Sequence, residues 1–278
     1  MSKAAYGAVE NASRKVKKLY GAMGGVTLKT KKGYNVVDGV ARLFYSGVDP
    51  VLNNNDWATI AEISAAGQAA NYWKIGDTKT DTLNGTTYTF RIIGFDHDKL
   101  SAYDSKYSDS SYNGGKKKAG ITFEMAEIYG ASLYVMNTSG VNDGGWGDSY
   151  MRNTVMNTMK GYMSTPLKNV LRRVAKLSSA GYYDTTIETN NDYLFLLSQM
   201  EVFGTYTDGA AGEGTQYAYY KAGNSRIKRY NGNAYMWWLR SNPTLVQSRS
   251  IFAGVNDGGV LGYGSASSYQ GVSFCFCV

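Results

Sequence analysis

The sequence predicts an α+β protein, and three observations carry that prediction. Residues 86–94 (TTYTFRIIG) are β-branched and aromatic, as a strand requires, and 193–197 and 236–239 are further apolar strands. Met151, Val155, Met159 and Met163 recur at every fourth residue, a helical stripe suited to packing on a sheet. Thirty-three Gly and 24 Tyr against three Pro mark a chain rich in turns and strands.

In order along the chain, residues 1–50 repeat themselves. Units beginning at Tyr6, Tyr20 and Tyr34 follow one another in a 14-residue phase, with turn dipeptides at Glu10-Asn11, Gly24-Gly25 and Asp38-Gly39. Each unit reads as a hairpin. One hairpin cannot bury a face, but stacked repeats can. Residues 1–50 therefore read as a small β attachment or assembly module, and 51–278 as one larger domain joined through a linker at 51–56. Asp56 caps a helix carrying Trp57, Ile60 and Ile63. Leu83-Asn84-Gly85 turns the chain into the strand at 86–94, and 101–118 is a polar surface loop. Residues 121–128 are apolar and fit either a strand or a helix. The Met stripe starts after Asp148 or Ser149. Thr165-Pro166 opens a second expected helix through Leu167, Val170, Leu171, Val174 and Leu177. A short helical turn runs from Ser198 to Gly204, and 272–278 closes with an apolar strand.

Charge is unevenly distributed. The net charge is +7, and residues 1–50 hold nine basic and three acidic residues. That balance admits an anionic partner for the first module, but a solvated basic face explains it more simply, and nucleic acid is not the expected partner. The start, MSKAAY, has no apolar core of a signal peptide, and no run is long enough for a membrane span, so synthesis in a cytoplasm without membrane insertion is expected.

Catalytic motifs are weak. His97 is the single His, flanked by Asp96 and Asp98, and would need a nucleophile brought near by folding. Glu124, Glu127 and Glu201 have no spacing that demands paired carboxylate chemistry. Cys275 and Cys277, two apart in a strand, point to one face and are poorly placed to bond each other. No phosphate loop, nucleophile elbow or paired-Cys zinc spacing is present. The reading is a non-enzyme with no cofactor, no catalytic residue and no metal ligand.

The informative stretch is 236–278. Trp237-Trp238-Leu239-Arg240-Ser241 leads into a Gly/Ser-rich tract that ends at Gly271-Val-Ser-Phe274. Between Ser241 and Gly271 the formal charges are Arg249 and Asp257 alone. With residues 90–98 (FRIIGFDHD) and 193–204, this pattern resembles the C-type-lectin-fold variable proteins of diversity-generating retroelements in gut bacteria and their phages. The resemblance implies a C-type-lectin-like fold of the formylglycine-generating-enzyme-like branch over 51–278. It implies a variable ligand-binding surface at about 236–278, made by Thr244, Val246, Arg249, Ile251, Leu261, Tyr263, Ser268 and Tyr269. Randomising the first two bases of an Asn codon cannot yield Lys, Glu, Gln, Met or Trp; Lys, Glu, Met and Trp are absent between Ser241 and Gly271, so Gln247 and Gln270 would be fixed positions. The implied protein is a phage tail or virion component that binds a protein or glycan on a host cell surface. A virion partner would be held through residues 1–50, and a homotrimer is expected by analogy with virion fibres. The alternative is an enzyme of the sulfatase-modifying-factor-like fold or a virion cell-wall hydrolase.

Overall fold

The structure is a computed structural model. It describes residues 48–278 except 131, 183, 208–210 and 244–247, and within 1–47 the backbone of six strands. The chain divides into two compact units, Met1–Pro50 and Val51–Val278. In the first, β1 (Tyr6–Val9) pairs with β2 (Ala12–Lys15), β3 (Leu19–Met23) with β4 (Val26–Thr30), and β5 (Lys32–Val37) with β6 (Val40–Ser46), all antiparallel. There is one hairpin to each sequence repeat.

The second unit is mixed α+β. Its expected linker is in fact part of the fold. Leu52 is buried in a single 3₁₀ turn, and Lys79 Nζ donates to the carbonyl of Asn55 at 2.7 Å. Helix α1 (Trp57–Ala65) starts at Asp56, whose carboxylate accepts from the Thr59 N–H, and buries Trp57, Ile60 and Ile63. After α2 (Ala69–Tyr72), β7 (Thr78–Leu83) and β8 (Thr86–Phe95) form a hairpin turned by Asn84 and Gly85, both at positive φ. Strand β9 (Ile121–Met125) resolves the ambiguous apolar run as a strand.

A five-stranded antiparallel sheet is the centre of this unit. Its order is β12 (Leu194–Phe195), β18 (Cys275–Cys277), β9, β8, β7. Register gives it two different faces. One face aligns Leu194, Phe276, Phe123 and Ile92 across four strands. Trp57 of α1 packs edge-on against Phe123 and Phe276, at 5.4 and 5.8 Å between ring centroids. The opposite face aligns Phe195, Cys275, Glu124 and Arg91. All five residues of β9 are buried, because each face is covered.

Around the sheet lie α3 (Gly145–Asp148), a π-helical turn at Met151–Val155 running into α4 (Met156–Tyr162), and α5 (Thr165–Lys168). The Met stripe is buried as expected. The second expected helix is a correction: it stops at Lys168. Val174 and Leu177 lie instead on β10 (Val174–Gly181), paired with β11 (Asp184–Asp192). Cross-strand pairing outweighed an apolar spacing that fitted a helix. Next come α6 (Gln199–Phe203), α7 (Ala218–Lys221) and the hairpin β13 (Lys228–Tyr230) with β14 (Asn233–Tyr235). A three-stranded sheet of β15 (Trp237–Trp238), β16 (Ile251–Val255) and β17 (Leu261–Ser265) completes the unit. Among the described residues no helix is long and apolar enough to cross a membrane.

Candidate functional site

The apolar and aromatic residues of the 236–278 stretch divide into a frame and a surface. Trp237, Trp238, Leu239, Arg240, Phe252 and Phe274 are fully buried. Both indole N–H groups are used: Trp237 donates to the carbonyl of Arg226 at 3.0 Å, and Trp238 to that of Tyr134 at 2.8 Å. Gly254 and Gly264 make this packing possible. A Cβ at Gly264 would sit 2.6 Å from the Trp238 ring, and one at Gly254 would sit 2.5 Å from Met236 and 2.8 Å from the Trp237 carbonyl.

Six of the eight expected binding residues are described; Thr244 and Val246 lie outside the described residues. Register puts Ile251 opposite Ser265, Ala253 opposite Tyr263, and Val255 opposite Leu261, so Ile251, Leu261 and Tyr263 share one face of the small sheet. Ile251 and Leu261 are half-buried; Tyr263 is exposed, and its hydroxyl donates to the carbonyl of Thr207 at 3.4 Å. Ser268 is half-buried and Tyr269 is 67% exposed, both beyond the end of β17. Arg249 is exposed and forms a forked ion pair with Asp143, with Nε 2.8 Å from Oδ1. That contact draws the loop at 140–143 up to the 248–251 loop, where Asn142 also bonds the carbonyls of Ser248 and Ile251.

Arg240 anchors the frame from below. Its guanidinium donates to both oxygens of Glu201, at 2.5 and 2.9 Å, and to the carbonyls of Leu177, Leu196 and Glu213. Glu201 is itself the third helical residue of α6 and closes a capping box with Ser198. Lys176 continues the chain, with Nζ 2.7 Å from Glu201 and 2.5 Å from Asp98. Tyr217 and Thr122 also donate to Asp98. Burial opposes ionisation of both carboxyls, but the adjoining cations hold Asp98 and Glu201 below the usual carboxylate range. The same two carboxylates hold Lys176 above its ordinary value against the cost of burial. Glu213 differs. Buried and bonded by Ser241 and Ser179, it is pushed up by desolvation.

A second buried network lies on the same polar face of the central sheet. Glu124 accepts from Arg91 at 2.7 Å, Lys228 at 2.8 Å and Tyr220 at 2.8 Å. Glu124 is one carboxylate shared by two cations, so desolvation prevails at Lys228 and brings it down to about 8.

The weaker sequence candidates fall into these networks or outside them. His97 stacks on Tyr217 at 3.9 Å, and its imidazole makes no hydrogen bond among the described residues; burial lowers its pKa. Asp96 bonds Asn113 and Lys116 instead. His97, Asp98 and Glu201 lie close enough to share a metal ion. The donor set does not fit one, because the Lys176 ammonium already sits between the two carboxylates. Glu124 and Glu201 belong to separate networks, and Glu127 accepts from the backbone of Arg229. Cys275 and Cys277 are free, fully buried and on the face that bears Glu124 and Thr122; burial drives both thiols well above their ordinary pKa. Sequence reading missed the partners of Arg240, since Glu201 and Glu213 lie 39 and 27 residues away. The one local signal was the Ser198-x-x-Glu201 spacing.

A family model described as a domain of unknown function, DUF6273, matches residues 126–278, more than half of the chain. The chain belongs to the DUF6273 family. No curated protein and no solved structure matches it. The DUF6273 segment takes in Lys176, Glu201, Lys228 and Arg240, and all eight expected binding positions. It begins just after β9, so Asp98 and Glu124, which complete the two buried networks, come from residues ahead of it.

Proposed function

We propose that this DUF6273 protein is a ligand- or receptor-binding protein of C-type-lectin-like fold that displays a diversified surface at 236–278. In this reading it is the target of a diversity-generating retroelement and a phage tail or virion component, with residues 1–50 as its attachment module. One observation carries the reading. Every expected variable position that is described is exposed or half-buried, on the small sheet or in a loop. The residues between and beneath them (Trp237, Trp238, Arg240, Phe252, Phe274) are fully buried and bonded into a fixed frame. A surface built this way tolerates substitution without loss of fold, which is what a recognition surface on a scaffold needs. Tyr263 and Tyr269 are the expected energetic anchors, because Tyr offers a large rigid contact at low entropic cost. The enzyme alternative draws no support from the cysteines, whose thiols are buried and held protonated.

The test is deep sequencing of the coding region for 236–278 across a population of the source. The expected result is substitution confined to positions with an Asn-type template codon, such as 249, 251, 261, 263, 268 and 269, with Trp238, Arg240, Gly254 and Gly264 unchanged. A uniform sequence, or changes spread evenly over the chain, overturns the diversified surface.

A further inference from the structure

A second candidate site lies apart from the 236–278 surface. Two adjoining cavities, of about 500 and 520 Å³, share Lys99, Lys118, Ala175 and Thr189 in their walls. Their lining falls between residues 97 and 215, so none of it belongs to the variable stretch.

The floor is a short backbone ladder. Lys99 bridges Lys118, Leu100 bridges Val174, and Ala175 pairs with Asn191. Side chains directly opposite one another share a face. Leu100 and Val174 are therefore buried together beneath, and Lys118, Lys99, Ala175 and Asn191 form a row above. The short side chain of Ala175 leaves a hollow beside Lys99 and Asn191, and Lys118 lines the same cavities. Asn191 accepts from Ser101 through its carbonyl oxygen at 2.7 Å, which leaves its NH₂ without a hydrogen bond among the described residues. Lys117 lies over the Tyr107 ring at 4.6 Å, and Tyr103, 74% exposed, stands on the rim.

The charge is unbalanced. Lys116 pairs with Asp96, and Lys176 with Asp98 and Glu201. Lys99, Lys117 and Lys118 have no carboxylate within ion-pair distance among the described residues. Three uncompensated cations around one hollow repel one another, and an anion relieves that repulsion.

We propose that this cleft binds an anionic saccharide, with a sulfate, phosphate or carboxylate group held between Lys99 and Lys118 and a sugar ring laid on Tyr103. A saccharide fits better than a nucleic acid strand. Single-strand binding needs a groove that follows the backbone past several stacking rings, whereas this is a pair of compact hollows with one exposed ring on the rim.

The experiment titrates the full-length protein with a sulfated disaccharide, its unsulfated counterpart, inorganic sulfate and a short oligothymidylate. The readout is the ring-proton resonance of His97, which lines the inner cavity and, as the single His of the chain, needs no assignment. The expected result is a saturable shift with the sulfated disaccharide. Binding should weaken by about tenfold or more in K99Q/K118Q, as loss of charged hydrogen bonds predicts. K117Q, an exposed change that leaves the floor intact, should weaken it less. Tyr103→Ala should weaken the disaccharide and leave inorganic sulfate unchanged. Equal binding of the unsulfated sugar, no response at millimolar concentration, unchanged affinity in both lysine variants, or tighter binding of the oligothymidylate would each overturn the proposal. The variable surface takes no part in this test, so its fate and that of the cleft are decided separately.

Discussion

Arg240→Ala is the sharpest test of the buried frame. The wild-type guanidinium makes five hydrogen bonds, two to Glu201 and one each to the carbonyls of Leu177, Leu196 and Glu213. Removing it takes a donor from the carbonyls of Leu177, Leu196 and Glu213, of which the last keeps the Ser198 hydroxyl, and leaves Glu201 with Lys176 as its one remaining cation among the described residues. Breaking a buried, hydrogen-bonded ion pair from one side costs about 3–5 kcal/mol. For a unit of this size, each kcal/mol lowers the melting temperature by about 2–4 °C, so a fall of ~10 °C is expected. Arg240→Lys should recover only part of it, because a point ammonium cannot span both Glu201 oxygens and three carbonyls. Thermal and urea unfolding, followed by circular dichroism, would measure both variants. A melting temperature for Arg240→Ala within ~2 °C of wild type would refute the claim that this arginine holds the frame.

Other outcomes follow from the same geometry. Lys176→Met should cost about 3–5 kcal/mol, because it strands the buried Asp98, whose one ion-pair partner among the described residues is Lys176, while Arg240 still holds Glu201. Lys228→Met should cost clearly less, because Arg91 still pairs with Glu124; urea midpoints compare the two. Gly264→Ala should destabilise by about 1–3 kcal/mol through its clash with Trp238. Gly262→Ala, whose Cβ would come no closer than 3.5 Å to Asn256, should be nearly neutral. Asp98, Glu124 and Glu201 all have lowered folded pKa values, so their stabilisation is complete above the unfolded carboxylate range. It is lost as pH falls below about 4.5 through the folded values, and unfolding midpoints should drop steadily there. On the proposed function, exchanging Arg249, Ile251, Leu261, Tyr263, Ser268 and Tyr269 together should change which cells the labelled protein binds and shift its melting temperature by no more than a few degrees.

Local signals survived the passage from sequence to structure, and distant ones did not. Asp56 as a helix cap, the Asn84-Gly85 turn and the Ser198–Gly204 helical turn each depend on neighbours within a few residues, and each was readable. The Trp237-Trp238 strand was readable from its apolar density alone. Val174 and Leu177 misled because β10 buries Val174, Lys176 and Ser178 on alternate positions. A buried lysine hides a period of two from any hydropathy pattern, while Leu167, Val170, Leu171 and Val174 happen to fit a period of 3.6. The ion-pair networks were invisible for a related reason. Arg91, Glu124 and Lys228 look like surface charges in sequence; the sheet register places Arg91 and Glu124 on one covered face, and Lys228 reaches Glu124 there from the β13 hairpin. The row of Lys118, Lys99, Ala175 and Asn191 comes from three separate strand contacts, none of which leaves a spacing to read.

The tryptophans of this chain and its exposed tyrosines offer two separate reporters. All five tryptophans (Trp57, Trp73, Trp146, Trp237 and Trp238) are buried in the second unit, whereas Tyr103, Tyr206, Tyr263 and Tyr269 are exposed. Indole emission should therefore be blue-shifted, resistant to aqueous quenchers and responsive to loss of the frame. Iodination should respond to what covers the outside, because it reaches the exposed phenols and not the buried Tyr112, Tyr129, Tyr217 and Tyr220. Indole emission and tyrosine iodination can thus report separately whether the scaffold is intact and whether its surface is occupied.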